Sequence, residues 1–235
     1  MAFDAAANAQ ELILYGGQSS AGLLNDTWVY AERNWSPVAQ PCSGSPTGCP
    51  PRLSAASMAY DPVRGGVVLV GGLTAACPVG CNETVSDGVY LWANGSWSSL
   101  GHAPTPVFDG SMAWYAAESC MLLFGGDNGS GPMASSWCFN ASAGWAAVSP
   151  SGGPSPRWGA AMTNLSTGSI LLFGGDSSHG PSAETWEFSA GQWRSVVLGP
   201  SSQPVARTYA SLIESPAAAL GIPFGDNSAI LYGGE

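Results

Sequence analysis

Five short apolar runs, each closed by a pair of glycines, recur along this chain of 235 residues. They read Glu11-Leu-Ile-Leu-Tyr-Gly-Gly17, Gly66-Val-Val-Leu-Val-Gly-Gly72, Cys120-Met-Leu-Leu-Phe-Gly-Gly126, Ser169-Ile-Leu-Leu-Phe-Gly-Gly175 and Ser228-Ala-Ile-Leu-Tyr-Gly-Gly234, with successive glycine pairs 55, 54, 49 and 59 residues apart. Each run is too short for an ordinary helix, is rich in β-branched and aromatic residues and stops at glycine, so it reads as a strand buried on both faces. The double glycine marks a strand end where a side chain would not fit.

A second signature follows the first four glycine pairs. It runs Asp26-Thr-Trp-Val-Tyr30 to Trp35, Gly88-Val-Tyr-Leu-Trp92 to Trp97, Ser136-Trp-Cys-Phe139 to Trp145 and Glu184-Thr-Trp-Glu-Phe188 to Trp193. The leading aromatics Trp28, Tyr90, Trp137 and Trp186 precede the closing Trp by seven residues, or eight in the third copy, which fits a strand, a tight turn and the start of another strand. The turns are expected at Arg33-Asn34, Asn94-Gly95, Ala143-Gly144 and Ala190-Gly191. An alanine-rich strand ahead of each Gly-Gly run completes a unit of four strands in about fifty residues, the arithmetic of a propeller blade. Trp35, Trp97, Trp145 and Trp193 are expected as packing between sheets, with a sugar-stacking ladder as the rival reading.

The Gly-Gly strand end, the Tyr or Trp, and the Trp one hairpin later resemble kelch repeats over essentially the whole chain. That resemblance implies an all-β fold, a kelch-type β-propeller with four complete four-stranded blades over residues 1–38, 52–100, 107–148 and 157–198. A fifth blade over 207–235 would have only two strands, so the expectation is a partial propeller from a larger ring, with further blades or domains in a longer parent chain. The rival is a self-contained object of four and a half blades.

Charged residues are only 9% of the chain, and the sixteen acids face six arginines and no lysine, for a net charge of −10. A phosphate-backbone reader is excluded by that balance, and nucleic acid is not an expected partner. No apolar run reaches eighteen residues, so membrane insertion is not expected either. Six cysteines fall as Cys42 with Cys49, Cys77 with Cys81 and Cys120 with Cys138, which fits three disulfides. Zinc is disfavoured because neither short pair has a histidine nearby. Seven of the nine asparagines open a glycosylation sequon: Asn25, Asn34, Asn82, Asn94, Asn128, Asn140 and Asn164. Cysteines and sequons together point to an extracellular or cell-surface setting, although no signal peptide is visible.

Arg52, Arg157 and Arg207 each stand just before an alanine-rich strand, where they would form a cationic rim for acidic ligands or tie their loops to backbone carbonyls. His102 and His179 are the two histidines, and with the three arginines they make the candidate ligand-binding set. Asp127-Asn128-Gly129-Ser130 and Asp176-Ser177-Ser178 lack the spaced acids of a calcium loop. No nucleophile motif, phosphate loop or metalloprotease signature occurs, so no catalytic residue, metal or cofactor is expected. The reading is a noncatalytic recognition or adhesion module binding protein or glycan through loops on one propeller face. The alternative is a propeller enzyme resembling galactose oxidase or a sugar-modifying kelch enzyme, with His102 and His179 near its site.

Overall fold

The computed structural model describes residues 1–6, 10–39, 48–74, 84–199, 203–215 and 228–235. These form two compact units, Met1–Asp109 with Asn128–Gly131, and Gly110–Asp127 with Pro132–Glu235.

The first unit holds two four-stranded antiparallel sheets in simple order. One is β1 (Ala2–Asp4), β2 (Glu11–Ser19), β3 (Gly22–Ala31) and β4 (Asn34–Pro37); the other is β5 (Ser57–Asp61), β6 (Gly66–Val70), β7 (Gly88–Ala93) and β8 (Ser96–His102). Ile13, Tyr15, Leu53, Val67, Leu69, Trp92 and Trp97 pack into their shared core.

In the second unit, β9 (Ser111–Tyr115), β10 (Cys120–Phe124), β11 (Ser136–Asn140) and β12 (Gly144–Val148) make a third sheet. A fourth joins β13 (Ala161–Asn164) and β14 (Ile170–Phe173) to β17 (Thr185–Ser189) and β18 (Gln192–Val196), with a small ribbon of β15 (Asp176–Ser177) and β16 (Gly180–Pro181) in the intervening loop. The last sheet has two strands, β19 (Ser211–Glu214) and β20 (Ala229–Tyr232). The core here gathers Tyr115, Cys120, Leu122, Phe124, Cys138, Ile170, Leu172, Phe188 and Trp193.

Four of the five glycine pairs directly follow a strand's last residue as expected, whereas Gly16-Gly17 lies inside β2 and a Cβ at Gly17 would meet nothing within 4 Å. In each of the first four, the second glycine donates its N–H to a backbone carbonyl ahead of the next sheet: Gly17 to Leu53 (2.7 Å), Gly72 to Val107 (2.8 Å), Gly126 to Arg157 (2.9 Å) and Gly175 to Arg207 (3.0 Å). A Cβ on Gly125, at φ +65°, would lie 2.5 Å from the carbonyl oxygen of Arg157.

The hairpin turns need two corrections. Asn34 pairs with Ala31 inside the strand ladder, so the first turn is Glu32-Arg33, both at positive φ. Gly144 likewise pairs with Asn140 inside the ladder, so the third turn is residues 141–143, and this longer turn gives the eight-residue spacing.

The kelch-type β-propeller is not what these strands build. All-β character holds, but the described strands form six separate sheets and none is closed into a ring. A loop-bearing propeller face for protein or glycan therefore has no structural basis. Nor does any pairing here point to further blades of a longer parent chain. Among the described residues, no helix is long and apolar enough to cross a membrane.

Candidate functional site

Between β9 and β10 the chain makes a short 3-10 turn, Ala116–Glu118, which Ser119 ends in the left-handed region at φ 50°. This reversal puts Glu118 just ahead of Cys120, the first residue of β10. Along the β10–β11 ladder Cys120 stands opposite Asn140 and Leu122 opposite Cys138, so the two cysteines are diagonal neighbours. Their Cα atoms are 5.6 Å apart and their sulfurs are bonded.

Both cysteines are buried, at 0% and 7% exposure, against Tyr115, Leu122, Ile170, Phe188 and Trp193. The other side of the disulfide is polar. Glu118 Oε2 lies 3.9 Å from Cys138 Sγ, with the carboxylate otherwise open to solvent. One ligand atom from each of Glu118, Cys120 and Cys138 falls within a mutual 4.8 Å, the single such His/Cys/Asp/Glu group among the described residues.

Asn140 fixes the turn that carries the carboxylate. Its Nδ2 donates to Ser119 O at 3.1 Å and to Glu118 O at 3.4 Å. Its Oδ1 meanwhile accepts from Ser142 N (2.9 Å), Ser142 Oγ (2.8 Å) and Ala143 N (3.3 Å), tying the β11–β12 turn to the same residue.

The residues singled out in the sequence are placed elsewhere. Arg157 is buried and donates to Ser155 O, Ser155 Oγ, Gly174 O and Glu184 Oε2. Arg207 donates to Val205 O and Gly233 O, and Arg52 to Leu23 O. All three therefore hold backbone carbonyls. His102 Nδ1 lies 2.9 Å from Asp87 Oδ1 on an exposed surface, and His179 Nδ1 lies 3.2 Å from Ser178 Oγ. Neither imidazole belongs to a cluster of metal-ligating groups among the described residues.

Cys120–Cys138 is the expected cross-strand bridge, and Cys49 is also disulfide-bonded. Cys42, Cys77, Cys81 and Asn82 lie outside the described residues. Asn25, Asn34, Asn94 and Asn164 are exposed, while Asn128 and Asn140 are half-buried. Trp97 and Trp193 are core residues, whereas Trp35 is 39% exposed and leans on Tyr30 at 5.2 Å.

Glu118 was not singled out in the sequence. Its signal is short: a carboxylate two residues before a cysteine whose bonded partner lies in the adjacent strand.

No protein-family model matches this chain, and no curated protein matches it. The kelch resemblance thus gains no support from either comparison.

Proposed function

We propose that the protein is a thiol-redox enzyme centred on Cys120, Cys138 and Glu118, cycling between the disulfide and a dithiol. The observation that carries this reading is the Glu118 carboxylate held 3.9 Å from Cys138 Sγ. A disulfide sulfur has no proton to share, so that contact becomes an S–H···O hydrogen bond only after reduction. A dithiol donor supplies two electrons and two protons, leaving two thiols here and a disulfide on the donor. Cys138 is the less deeply buried of the two residues, at 7% against 0% exposure, and is the one assigned to attack by an external thiolate. Apolar surroundings disfavour a thiolate, so the nascent thiol takes its proton from the donor dithiol, and Glu118 Oε2 is placed to accept the S–H of the reduced Cys138.

A second reading follows from the donor set. Once reduced, two sulfurs and a carboxylate oxygen supply three ligands for a thiophilic divalent cation such as zinc, leaving a fourth position for water.

The test is a redox titration of the folded protein in dithiothreitol buffers, followed by alkylation and mass spectrometry at Cys120 and Cys138. Reversible reduction without loss of the circular-dichroism signal, slowed by Glu118→Gln, supports the redox reading. Reduction that occurs only together with unfolding overturns it. Stoichiometric zinc uptake by the reduced folded protein, lost in Glu118→Gln and Cys138→Ser, would favour the second reading.

A further inference from the structure

Asparagine followed by small polar residues is also good turn chemistry, so an excess of sequons would arise from hairpins alone if every one sat in a turn. The backbone argues against that. Six of the seven sequon asparagines lie among the described residues. Turn chemistry accounts for three of them. Asn94 has a φ of 51° ahead of Gly95 at 76°, while Asn128 and Asn140 accept through Oδ1 from the N–H groups of Ser130 and Ser142, both at 2.9 Å. Asn25 lies within β3, Asn34 opens β4 opposite Ala31, and Asn164 ends β13, where no turn asks for asparagine or for a hydroxyl residue two positions later.

Three hairpins carry the triplet in two different states. Asn34 and Asn94, at the β3–β4 and β7–β8 hairpins, are exposed, and their hydroxyl partners Ser36 and Ser96 are exposed and half-buried. Asn34 Nδ2 donates to Ser36 Oγ at 3.2 Å, inside its own sequon, which leaves its second N–H free of that contact. At the β11–β12 hairpin, Asn140 Nδ2 instead donates to the carbonyls of Ser119 and Glu118, which takes both N–H groups. Elsewhere the hydroxyl partner is engaged. Thr27, which completes the Asn25 sequon, is buried and accepts from Trp97 Nε1 at 3.0 Å, and the N–H of Ser166, which completes the Asn164 sequon, is held by Glu214 Oε1.

We infer that Asn34 and Asn94 carry N-linked glycans and that Asn140 stays unmodified. Transfer joins Nδ2 to the anomeric carbon of a lipid-linked oligosaccharide, whose pyrophosphate leaves with the bonding electrons while the amide gives up one proton. At Asn34 and Asn94 the sugar extends into solvent, and Asn34 keeps one N–H for Ser36. At Asn140 the same bond would take a donor from the turn that carries Glu118 and set a sugar against its carbonyls. The glycans require a glycosylating compartment during synthesis, the kind in which the Cys120–Cys138 bond also forms. They neither need nor exclude redox cycling at that bond.

The experiment is glycopeptide mass spectrometry of the full chain purified from the cells that naturally make it. Peptides containing Asn34 and Asn94 should each carry a glycan mass, and the peptide containing Asn140 should have its bare mass. Ser36→Ala and Ser96→Ala keep both asparagines, and each should abolish the glycan at its own site alone while circular dichroism stays unchanged. A bare peptide at either Asn34 or Asn94 overturns the inference. So does a glycan on Asn140, or one that survives loss of its hydroxyl residue.

Discussion

Arg157 donates from Nη2 to Glu184 Oε2 across 2.5 Å, with the guanidinium buried to 1% exposure and the carboxylate side chain 51% exposed. The pair closes a small network, since the same carboxylate oxygen accepts from Trp186 Nε1. Partial burial alone would raise the Glu184 pKa, but the hydrogen bonds from Arg157, Trp186 and Ser182 outweigh it and leave the group below its ordinary value of 4.5. A depressed folded pKa contributes stability that is complete above the unfolded value and is lost as pH falls through the folded one. Glu184→Gln should therefore lower the urea midpoint at neutral pH, with the gap to wild type closing as pH drops below 4.5. A gap that stays constant across that range would show that the carboxylate charge contributes nothing.

Removing the other partner should cost more. Arg157 fills a buried volume and makes four hydrogen bonds, two of them to backbone carbonyls. Arg157→Ala is expected to destabilise by about 1–3 kcal/mol, because the buried Gly174 carbonyl loses its donor. Arg157→Lys should recover only part of this, because an ammonium cannot reproduce the planar fork. Chemical denaturation of both variants checks the order.

Gly125 and Gly144 separate backbone strain from steric contact. Both have positive φ, +65° and +74°, but a Cβ on Gly125 would strike Arg157 O whereas nothing lies within 4 Å at Gly144. Gly144→Ala should cost roughly 1 kcal/mol from conformation alone. Gly125→Ala should cost clearly more and lower the melting temperature further, because the Gly126 to Arg157 hydrogen bond must move with it.

The five Gly-Gly endings made the strands, their spacing and the glycine contacts legible, because a short apolar run and a steric exclusion are both local properties. The path from strands to architecture was not local. Whether one sheet closes on another depends on long-range geometry, and the repeat of Leu14, Leu69, Leu123 and Leu172 carries none of it. Arg52, Arg157 and Arg207 were visible as a repeated position, but sequence could not decide between solvent and a carbonyl; burial settled that for Arg157. Glu118 escaped notice because its role depends on a 3-10 turn and on Asn140, 22 residues from Glu118 in sequence.

The indole N–H groups give a second graded test. Trp97 Nε1 donates to Thr27 Oγ1 and Trp193 Nε1 to Ser136 Oγ, both at 3.0 Å and both buried. Thr27→Val and Ser136→Ala each leave a buried donor unsatisfied and should cost about 1–3 kcal/mol by denaturation. If either variant matches wild type, water replaces the lost hydroxyl.

The Cys120–Cys138 bond spans 18 residues and links adjacent strands inside the core. In the chain-entropy description, a loop of that size contributes about 3 kcal/mol by restricting the unfolded chain. Cys120→Ala with Cys138→Ala should therefore lose about that much, plus a packing term, and reduction of the wild type should approach the same value without the packing loss. Glu118→Gln separates staple from redox centre. If the disulfide only restrains the chain, this exposed change leaves both oxidised stability and reduction rate untouched. If the Glu118 oxygen accepts the S–H of the reduced Cys138, oxidised stability stays the same while reduction of the variant slows. Stopped-flow thiol release at fixed dithiothreitol, read beside the urea midpoint, distinguishes the two.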